Sequence, residues 1–399
     1  MPPRLRQSTL AFSSSGLSVK RARTSEQIWS SYESLGIKKP HNYCHYPKVA
    51  AFDFDGTLVT TASGSKFPKN AQDFEPRYSV VVSRLNKLGD EGFALVIFSN
   101  QNGISKGQTT ETDVRERLDA FCNLIKHPIL VLYATEGDQY RKPCPGMFIY
   151  YQKNVGTIDL ETSFMVGDAA GRFKTQNHLS DFAASDRQFA LNCGLKFFTP
   201  EEFFLNQDTS TDFDVGFDPK QVFSSYLETD LESNPDLSIL SKDGPCLVVM
   251  IGSPGAGKSC FVSRYLVPLQ ITSVSLDKLK TRKALFSAIN GKLDAGNSVV
   301  IDNTNPDPST RRDFIELVME RKIPIYAIHL EGTKELAFHL NALRRCRGGR
   351  SVPPVAIHTY YKKLCPPTKD EGFSEVITWP FTPYFNSNDE KKEFFMLLT

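Results

Sequence analysis

Residues 49–58 read Val-Ala-Ala-Phe-Asp-Phe-Asp-Gly-Thr-Leu, an apolar run that ends in two acids, Asp53 and Asp55. An apolar run of this length is typical of a strand that is buried in a parallel sheet. Binding sites in open parallel sheets form beyond the carboxyl ends of the strands. The stretch therefore predicts an α/β fold in which a strand over Val49–Phe54 delivers two carboxylates to one edge of the sheet.

The surrounding chain, from about residue 47 to 205, alternates between strand-like and helix-like patterns. Short apolar runs predict further strands over Ala94–Ser99, Ile129–Ala134 and Phe164–Gly167. Between them, apolar residues recur at helical spacing around 78–88 and 114–125. This alternation is typical of an open α/β sheet with helices packed on its faces.

Polar residues that suit phosphoryl transfer follow three of these predicted strands, and they are Ser99 and Asn100, Arg141 and Lys142, and Asp168. Each one alone has an ordinary explanation as a helix cap, a solvated basic residue or a turn acid. Because these residues follow adjacent strands, we expect them to lie beside Asp53 and Asp55. They would add a hydroxyl, two cations and a third carboxylate to the same site. A carboxylate can attack phosphorus, a second can protonate the leaving oxygen, and Mg²⁺ suits such an all-oxygen site.

These motifs resemble the haloacid-dehalogenase-like (HAD-like) phosphatase superfamily. The resemblance implies that Asp53 is the nucleophile, through an aspartyl-phosphate, and that Asp55 is the general acid and base. The Mg²⁺ ligands that we predict are Asp53, Asp55 and Asp168. The phosphate-binding residues that we predict are Ser99, Asn100 and Arg141, with Lys142 as a catalytic cation. The segments 56–98 and 102–140 are too short for the cap domain that this superfamily often inserts, so we expect an open site that suits a macromolecular substrate.

A second alternating block begins near residue 243. Its apolar runs predict strands over Leu247–Ile251, Thr272–Leu276, Ser298–Asp302 and Ile325–Leu330. Amphipathic stretches predict helices over 257–266, 278–290, 309–321 and 333–345. We find no internal repeat between the two blocks, so they represent two different domains.

The segment after the first of these strands reads Gly252-Ser253-Pro254-Gly255-Ala256-Gly257-Lys258-Ser259. It satisfies the P-loop pattern G-x-x-x-x-G-K-[ST] in the strand–loop–helix setting that the motif needs. Its glycines let backbone N–H groups wrap the phosphates of ATP, while Lys258 neutralises the β and γ phosphates and Ser259 contacts Mg²⁺. The fold class that we predict is therefore α/β, with two doubly wound parallel-sheet domains, a HAD-like phosphatase followed by a P-loop kinase.

Other polar residues of the second block are candidates for the acceptor site and for a lid. Asp277 can activate an acceptor hydroxyl, although a helix N-cap is an equally good explanation for it. Asp302 and Asn303 end a predicted strand and can assist at the acceptor or at Mg²⁺. A basic stretch at 344–369 begins with Arg344 and Arg345, which we expect to bind the ATP phosphates as a lid, with a solvated basic helix as the alternative.

Together the two blocks resemble the polynucleotide kinase 3′-phosphatase family over roughly residues 41 to 381. The motifs that carry the resemblance include Phe98–Ile104, Tyr140–Pro143, Val166–Arg172, Thr199–Phe204, Asp302–Asp307 and Glu371–Phe373. The resemblance implies removal of a 3′-phosphate in the first domain and ATP-dependent phosphorylation of a 5′-hydroxyl in the second, with Asp277 activating the acceptor. This chain departs from the family's pattern at Ser275-Leu276, before that aspartate, and at His339-Leu340-Asn341-Ala342 in the lid helix.

The distribution of charge along the 399 residues sets the domain boundaries. We predict a basic disordered tail at 1–40, the phosphatase domain at 41–207, an acidic linker at 208–242 and the kinase domain at 243–399. The chain has 47 Lys and Arg against 45 Asp and Glu, a net charge of +2. Because a basic tail and a basic stretch at 344–369 offset the acidic linker, this balance does not weigh against a nucleic-acid substrate.

The cysteine pattern and the tail give expectations about the compartment. The eight cysteines are scattered without a C-x-x-C pair, which argues against a zinc site and a disulfide framework and favours a reducing compartment. No run of about 20 apolar residues predicts a membrane span. Lys20-Arg21-Ala22-Arg23 can serve as a nuclear address or as a phosphate-binding arm, and a merely solubilising tail is an equally good explanation. We expect a nuclear location and a tail that can contact repair proteins.

We therefore expect a monomeric enzyme of DNA strand-break repair that uses Mg²⁺ and ATP on single-strand, nicked or double-strand DNA ends. Two alternatives remain open. The first is a phosphatase-kinase for RNA ends or a small molecule, and the second is a DNA-end-binding protein with weak kinase activity.

Overall fold

Two parallel sheets organise the chain in a computed structural model, which describes residues 29–174, 179–208, 212–225, 236–241 and 244–399. The predicted nuclear address at 20–23 and the rest of the tail up to residue 28 lie outside the described residues. Within the described ranges, every helix is too short or too polar to cross a membrane. The eight predicted strands are all present, with ends within two residues of the predicted bounds.

The first sheet belongs to the predicted phosphatase domain. The strands of this region are β1 (Trp29–Tyr32), β2 (Leu35–Lys38), β3 (Val49–Phe52), β4 (Val59–Thr60), β5 (Glu75–Pro76), β6 (Ala94–Asn100), β7 (Ile129–Ala134), β8 (Phe164–Val166) and β9 (Lys196–Phe198). Strands β4 and β5 form a small antiparallel pair, and the other seven form one sheet in the order β1-β2-β7-β6-β3-β8-β9. The sheet is parallel from β7 to β9, and β1 and β2 extend it as an antiparallel edge.

Helices cover both faces of this sheet, as the doubly wound prediction requires. They are α1 (Val81–Asp90), α2 (Glu111–Cys122), α3 (Gly146–Asn154), α4 (Ser185–Cys193) and α5 (Pro200–Leu205). The side chains of β3 alternate between two apolar cores, with Val49 and Ala51 in one and Ala50 and Phe52 in the other. This alternation follows from the two-residue period of a strand, and it explains why a strand buried on both faces is apolar throughout.

The predicted tail boundary at residue 40 is wrong, because β1 and β2 belong to the phosphatase sheet. Leu35 and Ile37 are buried in its core, and Lys38 is only 6% exposed. The Lys38 ammonium forms an ion pair with Asp119 at 2.7 Å and lies over the Trp29 ring. Two strands of four residues each are too short for a reliable apolar pattern, so only the pairing of β2 with β7 and of β1 with β2 reveals them.

The second sheet belongs to the predicted kinase domain. Its strands are β10 (Leu247–Ile251), β11 (Thr272–Val274), β12 (Val299–Ile301), β13 (Ile325–Glu331) and β14 (Glu375–Pro380), in the order β11-β12-β10-β13-β14. All of its neighbouring pairs are parallel. The helices that accompany it are α6 (Pro219–Val222), α7 (Lys258–Phe261), α8 (Leu276–Leu279), α9 (Arg282–Asp294), α10 (Pro308–Met319), α11 (Lys334–Cys346), α12 (Pro354–Lys363) and α13 (Asn388–Phe394).

The described parts of the predicted acidic linker pack against both domains, so they are not a simple connector. Leu237 and Leu240 are buried in the core of the second sheet. The Phe223 ring contacts Phe394 of α13, and the Arg187 guanidinium lies 3.8 Å from the centre of the Phe213 ring. Because these apolar residues are isolated among acidic ones, the sequence shows the acidic composition but does not show which side chains pack against the two domains.

The end of the kinase domain returns to the phosphatase domain. The Asn192 side chain on α4 donates to the Leu397 carbonyl at 2.8 Å and accepts from the Leu397 N–H at 2.8 Å. The Gln188 amide donates to the Thr399 carbonyl at 2.9 Å. The last residues of the chain therefore bridge the two predicted domains.

The cysteine prediction is wrong in one respect, because Cys144 and Cys346 form a disulfide with a Cα–Cα distance of 5.5 Å. The two residues are 202 positions apart and belong to different domains. Local spacing cannot reveal such a pair, since only the packing of the domains brings the two cysteines together.

A buried ion pair in the kinase domain provides a test of the fold. Arg311 on α10 is fully buried, and it donates to both carboxylate oxygens of Glu371. We expect Arg311→Met to destabilise this domain by about 3 kcal/mol, because it leaves a carboxylate unpaired in a poorly solvated position. The measurement is the free energy of unfolding from urea titration followed by circular dichroism.

Two controls separate this effect from a general loss of charge. Arg321→Met removes an exposed ion pair with Asp294 and should cost less than about 1 kcal/mol. The double variant Arg311→Met/Glu371→Leu should recover much of the lost stability, since it removes both charges. Equal costs for the two single variants would contradict the assigned role of the Arg311–Glu371 pair.

Candidate active sites

The first candidate site is a buried cluster of charges at the carboxyl end of β3. Asp53 is 7% exposed and Lys142 is 2% exposed. The Lys142 ammonium donates to Asp53 Oδ1 at 2.6 Å and to the Phe98 carbonyl at 2.7 Å, and it forms an ion pair with Asp186 at 2.7 Å. Although burial opposes it, the two carboxylates raise the pKa of Lys142, so this side chain stays a cation in the pocket.

Three carboxylates meet in this pocket, since oxygens of Asp53, Asp168 and Asp186 lie within 4.8 Å of one another. Burial raises the pKa of Asp53 well above its usual range, and Asp186 and Asp168 add to that effect while Lys142 opposes it. Burial and the neighbouring Asp186 also raise the pKa of Asp168, to about 7. Lys142 alone does not balance these acids, and an all-carboxylate donor set with excess negative charge fits Mg²⁺.

The turn after Asp55 shapes the same pocket. Gly56 has φ +80°, and a Cβ atom there would lie 2.3 Å from Asp168 Oδ2, so only glycine fits. Thr57 follows it and is fully buried, and its hydroxyl accepts from the Asp168 N–H at 3.0 Å. The Gly56-Thr57 pair therefore positions the Asp168 carboxylate against the carboxylates of Asp53 and Asp186.

The Asp55 carboxylate does not join this cluster, and the role of Asp55 as a Mg²⁺ ligand stays a prediction. It forms an ion pair with Arg117 on α2 and accepts from the Gln101 amide at 2.6 Å. The same Gln101 amide donates to the Ser99 hydroxyl at 2.8 Å. The Asp55 side chain is 44% exposed, so it can reach a substrate from the solvent side of the pocket.

The remaining predicted phosphate-binding residues lie on either side of Lys142. The Asn100 amide donates to the Lys142 carbonyl at 3.2 Å and accepts from the Lys142 N–H at 2.9 Å, so Asn100 positions the lysine loop. Arg141 is partly buried, and burial lowers its pKa while Asp186 opposes that effect. The Arg141 guanidinium therefore interacts electrostatically with the Asp186 carboxylate.

Three residues of this site were missed by sequence reasoning, and they are Asp186, Arg117 and Gln101. Asp186 lies at the start of α4 and accepts from the Ala169 N–H at 3.1 Å, but no local motif distinguishes it from an ordinary acid at a helix start. Arg117 is 3% exposed in the middle of α2, although its type predicts a solvated position. A buried position for such a charge is visible only in the tertiary structure.

The second candidate site is the P-loop after β10. Lys258 is 8% exposed, and its ammonium donates to the carbonyls of Gly252 at 3.0 Å and Ser253 at 2.9 Å. Burial lowers the pKa of Lys258 to about 8, even though Asp302 and Asp277 oppose that effect. The Ser259 hydroxyl donates to Asp302 at 2.6 Å, so a hydroxyl and a carboxylate converge beside the lysine.

The segment after β12 connects the P-loop to the buried Arg311. The Asn303 side chain accepts from the Leu276 N–H at 3.0 Å, and the Thr304 carbonyl accepts from the Gly252 N–H at 3.2 Å. The Asn305 amide donates to the Met250 carbonyl at 2.8 Å, and the Asn305 carbonyl accepts from Arg311. Asn303 thus binds the backbone N–H of the residue before Asp277 and helps to position that aspartate.

Asp277 lies on α8 and is exposed, close enough to Lys258 to affect the pKa of that lysine. The N-cap explanation of Asp277 is wrong, because Ser275 is the N-cap residue and its hydroxyl accepts from the Lys278 N–H. An exposed carboxylate beside a P-loop lysine has the chemistry of an acceptor-activating group.

The two predicted lid arginines lie on the last turn of α11, where Arg345 faces the phosphatase domain, and the lid role of Arg344 stays a prediction. Arg345 lies against the phosphatase domain, where burial lowers its pKa, Arg141 adds to the effect and Asp138 opposes it. Arg344 is exposed on the same last turn of α11. The reason is that α11 is long enough to span from the P-loop cavity to the phosphatase domain, and both arginines stand at its far end.

The family-variant positions of α11 also have structural explanations. His339 is fully buried, and its Nε2 atom lies 2.8 Å from the Phe394 carbonyl. Ala342 packs in an apolar cluster with Phe394 and Phe395. These two positions therefore contact the C-terminal segment, whereas Leu340 lines a cavity beside the P-loop.

The fold and the two pockets define a two-domain α/β enzyme, a HAD-like phosphatase joined to a P-loop kinase. A family model described as "Polynucleotide kinase 3 phosphatase" matches residues 48–204, and one described as "AAA domain" matches residues 247–367. The bifunctional polynucleotide phosphatase/kinase of Schizosaccharomyces pombe is 36% identical over 88% of this chain and 84% of its own length. The chain therefore belongs to the bifunctional polynucleotide phosphatase/kinase family.

Two further relatives match the phosphatase part. A polynucleotide 3′-phosphatase of Arabidopsis thaliana is 35% identical over 46% of this chain and 28% of its own length. A polynucleotide 3′-phosphatase of Saccharomyces cerevisiae is 26% identical over 40% of this chain and 88% of its own length.

The unpredicted Asp186 provides a test of the first pocket. We expect Asp186→Asn to lower phosphatase kcat/KM by about 10–100-fold, because Lys142 and the carboxylate cluster lose a charged neighbour. Gly56→Ala should have a comparable effect, since its Cβ atom would collide with Asp168. The measurement is phosphate release at saturating Mg²⁺ and at a series of lower concentrations.

Asp159→Asn is the matched control, because Asp159 is an exposed acid that caps its own turn. Kinase activity of the same variants reports whether the chain is folded. An Asp186→Asn variant with full phosphatase activity at every Mg²⁺ concentration would exclude Asp186 from the site.

Proposed function

We propose that this chain hydrolyses 3′-phosphates and phosphorylates 5′-hydroxyls at DNA ends, using Mg²⁺ and ATP, in strand-break repair. The observation that carries the proposal is the presence of both pockets in one chain. Asp53 with Lys142 lies at the carboxyl edge of one sheet, and Lys258 with Ser259 lies at the carboxyl edge of the other. The two reactions together would give a 3′-hydroxyl and a 5′-phosphate.

In the first pocket, Asp53 is the group placed to attack phosphorus; a bond forms between its carboxylate oxygen and phosphorus, which gives an aspartyl-phosphate (an acyl phosphate), and the bond from phosphorus to the 3′-oxygen breaks. Lys142 holds Asp53 in position and contributes positive charge beside the transferring group. Asp55 is placed to protonate the leaving 3′-oxygen and then to activate a water molecule. Asp53, Asp168 and Asp186 would hold Mg²⁺, which neutralises charge between the two anionic reactants.

The exposure of the first pocket supports a polymeric substrate. Between β3 and β6 the chain adds only the β4–β5 pair and α1, and between β6 and β7 only α2, all within the fully described range 29–174. A cavity of about 320 Å³ lies beside the Asp55 partner Arg117 and is also lined by Lys69, Asn70 and Thr110. An open pocket with basic and amide donors at its margin suits a strand end with a charged backbone.

In the second pocket, the P-loop backbone and Lys258 are placed to bind the phosphates of ATP. Ser259 and Asp302 would hold Mg²⁺, which neutralises charge on the transferring phosphoryl group. Asp277 is placed to accept the proton of the 5′-hydroxyl as it attacks the γ phosphorus. The products would be ADP and a 5′-phosphate.

Single substitutions should separate the two activities. Asp53→Ala should lower 3′-phosphate release by roughly 10³-fold or more, because it removes the nucleophile, and leave ATP-dependent 5′ labelling intact. Lys258→Ala should do the reverse, since its charge is needed only with the nucleotide. Release of inorganic phosphate from an oligonucleotide with a 3′-phosphate measures the first reaction, and transfer of label from ATP to its 5′-hydroxyl measures the second.

Asp53→Asn and Lys258→Arg are the conservative controls, which preserve side-chain volume in each pocket. Loss of both activities in Asp53→Ala, with an unchanged circular dichroism spectrum, would contradict two independent sites. ATP-independent end binding without label transfer by the wild-type chain would favour an end-binding protein.

The preference for DNA ends is tested by competition. We expect an unlabelled DNA oligonucleotide with a 5′-hydroxyl to suppress labelling of a second DNA oligonucleotide. A matched RNA oligonucleotide and a 3′-mononucleotide should compete more weakly, because they lack the backbone or the length of the proposed substrate. RNA that competes better than DNA would move the proposal to RNA ends, and competition by the mononucleotide alone would move it to a small molecule.

A further inference from the structure

The disulfide between Cys144 and Cys346 connects the surroundings of the two pockets. Cys144 follows Lys142 by two residues, on the loop that carries this lysine into the first pocket. Cys346 is the last residue of α11, and earlier turns of α11 line the cavity beside the P-loop. A covalent bond therefore joins the lysine loop of the phosphatase to one wall of the kinase cavity.

The two sulfur atoms differ in how easily a thiol can reach them. Cys144 is fully buried, whereas Cys346 is partly exposed. Arg345 and Arg347 flank Cys346 in the sequence, and cationic neighbours stabilise a thiolate. Exchange with a small thiol or disulfide should therefore begin at Cys346, with Cys144 as the resolving partner.

The charges around this bond disfavour the position of the last turn of α11 beside the phosphatase domain. The Arg345 Nε atom is buried without a hydrogen-bond partner among the described residues. Arg345 also lies near Arg141 of the phosphatase domain, whose like charge opposes the contact, and Asp138 offsets only part of it. The disulfide thus holds the end of α11 in a position where the surroundings of Arg345 are electrostatically unfavourable.

The kinase cavity makes the position of α11 important for nucleotide binding. The cavity beside the P-loop has a volume of about 150 Å³, and its walls include Ser253, Tyr361, Leu336 and Leu340. Pockets for ligands of nucleotide size usually have volumes of about 300–1,000 Å³. The cavity is smaller than that, and α11, which contributes Leu336 and Leu340, is one of its walls and is held at its far end by the disulfide.

The phosphatase pocket does not depend on the bond in the same way. Lys142 is held by Asp53, Asp186 and the Phe98 carbonyl, all through its ammonium. Its backbone is held separately by two hydrogen bonds to Asn100. These contacts remain when the disulfide is reduced, so the geometry of this pocket should remain as well.

We propose that Cys144 and Cys346 form a reversible thiol–disulfide site that restricts nucleotide entry to the kinase pocket when oxidised. This inference rests on the proposed kinase function. The oxidant is a small-molecule disulfide of the glutathione class. The Cys346 thiolate attacks it, forms a mixed disulfide and releases one thiolate. The Cys144 thiolate then attacks the Cys346 sulfur and releases the second, so two protein thiols are oxidised and one disulfide becomes two thiols that take up the two protons.

The test compares the full-length chain after treatment with oxidised glutathione and after treatment with dithiothreitol, each removed by gel filtration. A tryptic peptide that links residues 144 and 346, found by mass spectrometry without reduction, measures the oxidised fraction. We expect the KM for ATP in 5′-end labelling to be about fivefold or more higher in the oxidised enzyme. Phosphatase kcat/KM on the same oligonucleotide should be unchanged.

Cysteine variants identify the responsible pair. After glutathione treatment, Cys346→Ser should keep the lower KM for ATP. The reduced wild-type enzyme shows this lower KM without any substitution and is the reference. Cys365→Ser, which removes an exposed cysteine of the same domain, should keep the full redox response. Cys260→Ser should also keep it, although Cys260 is exposed next to the P-loop residue Ser259.

Three results would overturn the inference. One is an identical KM for ATP in the oxidised and reduced enzymes when kinase activity is present and the linked peptide is found. Another is a redox response that disappears in Cys260→Ser and persists in Cys346→Ser. The third is absence of kinase activity in the reduced enzyme, which would also contradict the proposed function.

Discussion

The phosphatase half of the molecule depends on the buried ammonium of Lys142. This group contacts Asp53, Asp186 and the Phe98 carbonyl, which belong to three different elements. Three carboxylates face this cation in the pocket, where burial and their proximity raise the pKa values of Asp53 and Asp168, and a bound divalent ion would stabilise the charged forms. The unfavourable balance is consistent with a binding site rather than a purely structural ion pair, because structural pairs satisfy their own charges.

The kinase half uses a second buried cation in a different way. Arg311 is satisfied by Glu371 and by the Asn305 carbonyl, so it contributes no free charge to chemistry. Its effect is transmitted through the segment 302–305, which contacts the carboxyl end of β10 through the Asn305 amide and the start of the P-loop through the Thr304 carbonyl. Lys142 therefore takes part in the first candidate active site, whereas Arg311 stabilises the segment next to the P-loop.

The two halves share more than a linker. The C-terminal residues bond to α4, apolar residues of the acidic segment pack on both domains, and Cys144 and Cys346 form a disulfide. These contacts explain why α11 carries Arg345 toward the phosphatase, away from the P-loop where a lid would place it. They also place His339 and Ala342 under the C-terminal helix, so the departure at Ala342 concerns packing.

Local sequence alone determined the two α/β domains, the strand positions, the Asp53 and Asp55 turn and the P-loop, because each depends on neighbours within a few residues. Apolar runs, tight glycine turns and acids two positions apart are encoded in adjacent residues. The tertiary structure alone decided which distant side chains meet, namely Asp186 with Lys142, Arg117 with Asp55 and Cys144 with Cys346. It also decided that β2 pairs with β7. The physical reason is that these contacts are satisfied through burial and charge across the folded sheet, and burial of an individual Asp, Arg or Cys leaves no periodic signal in the chain.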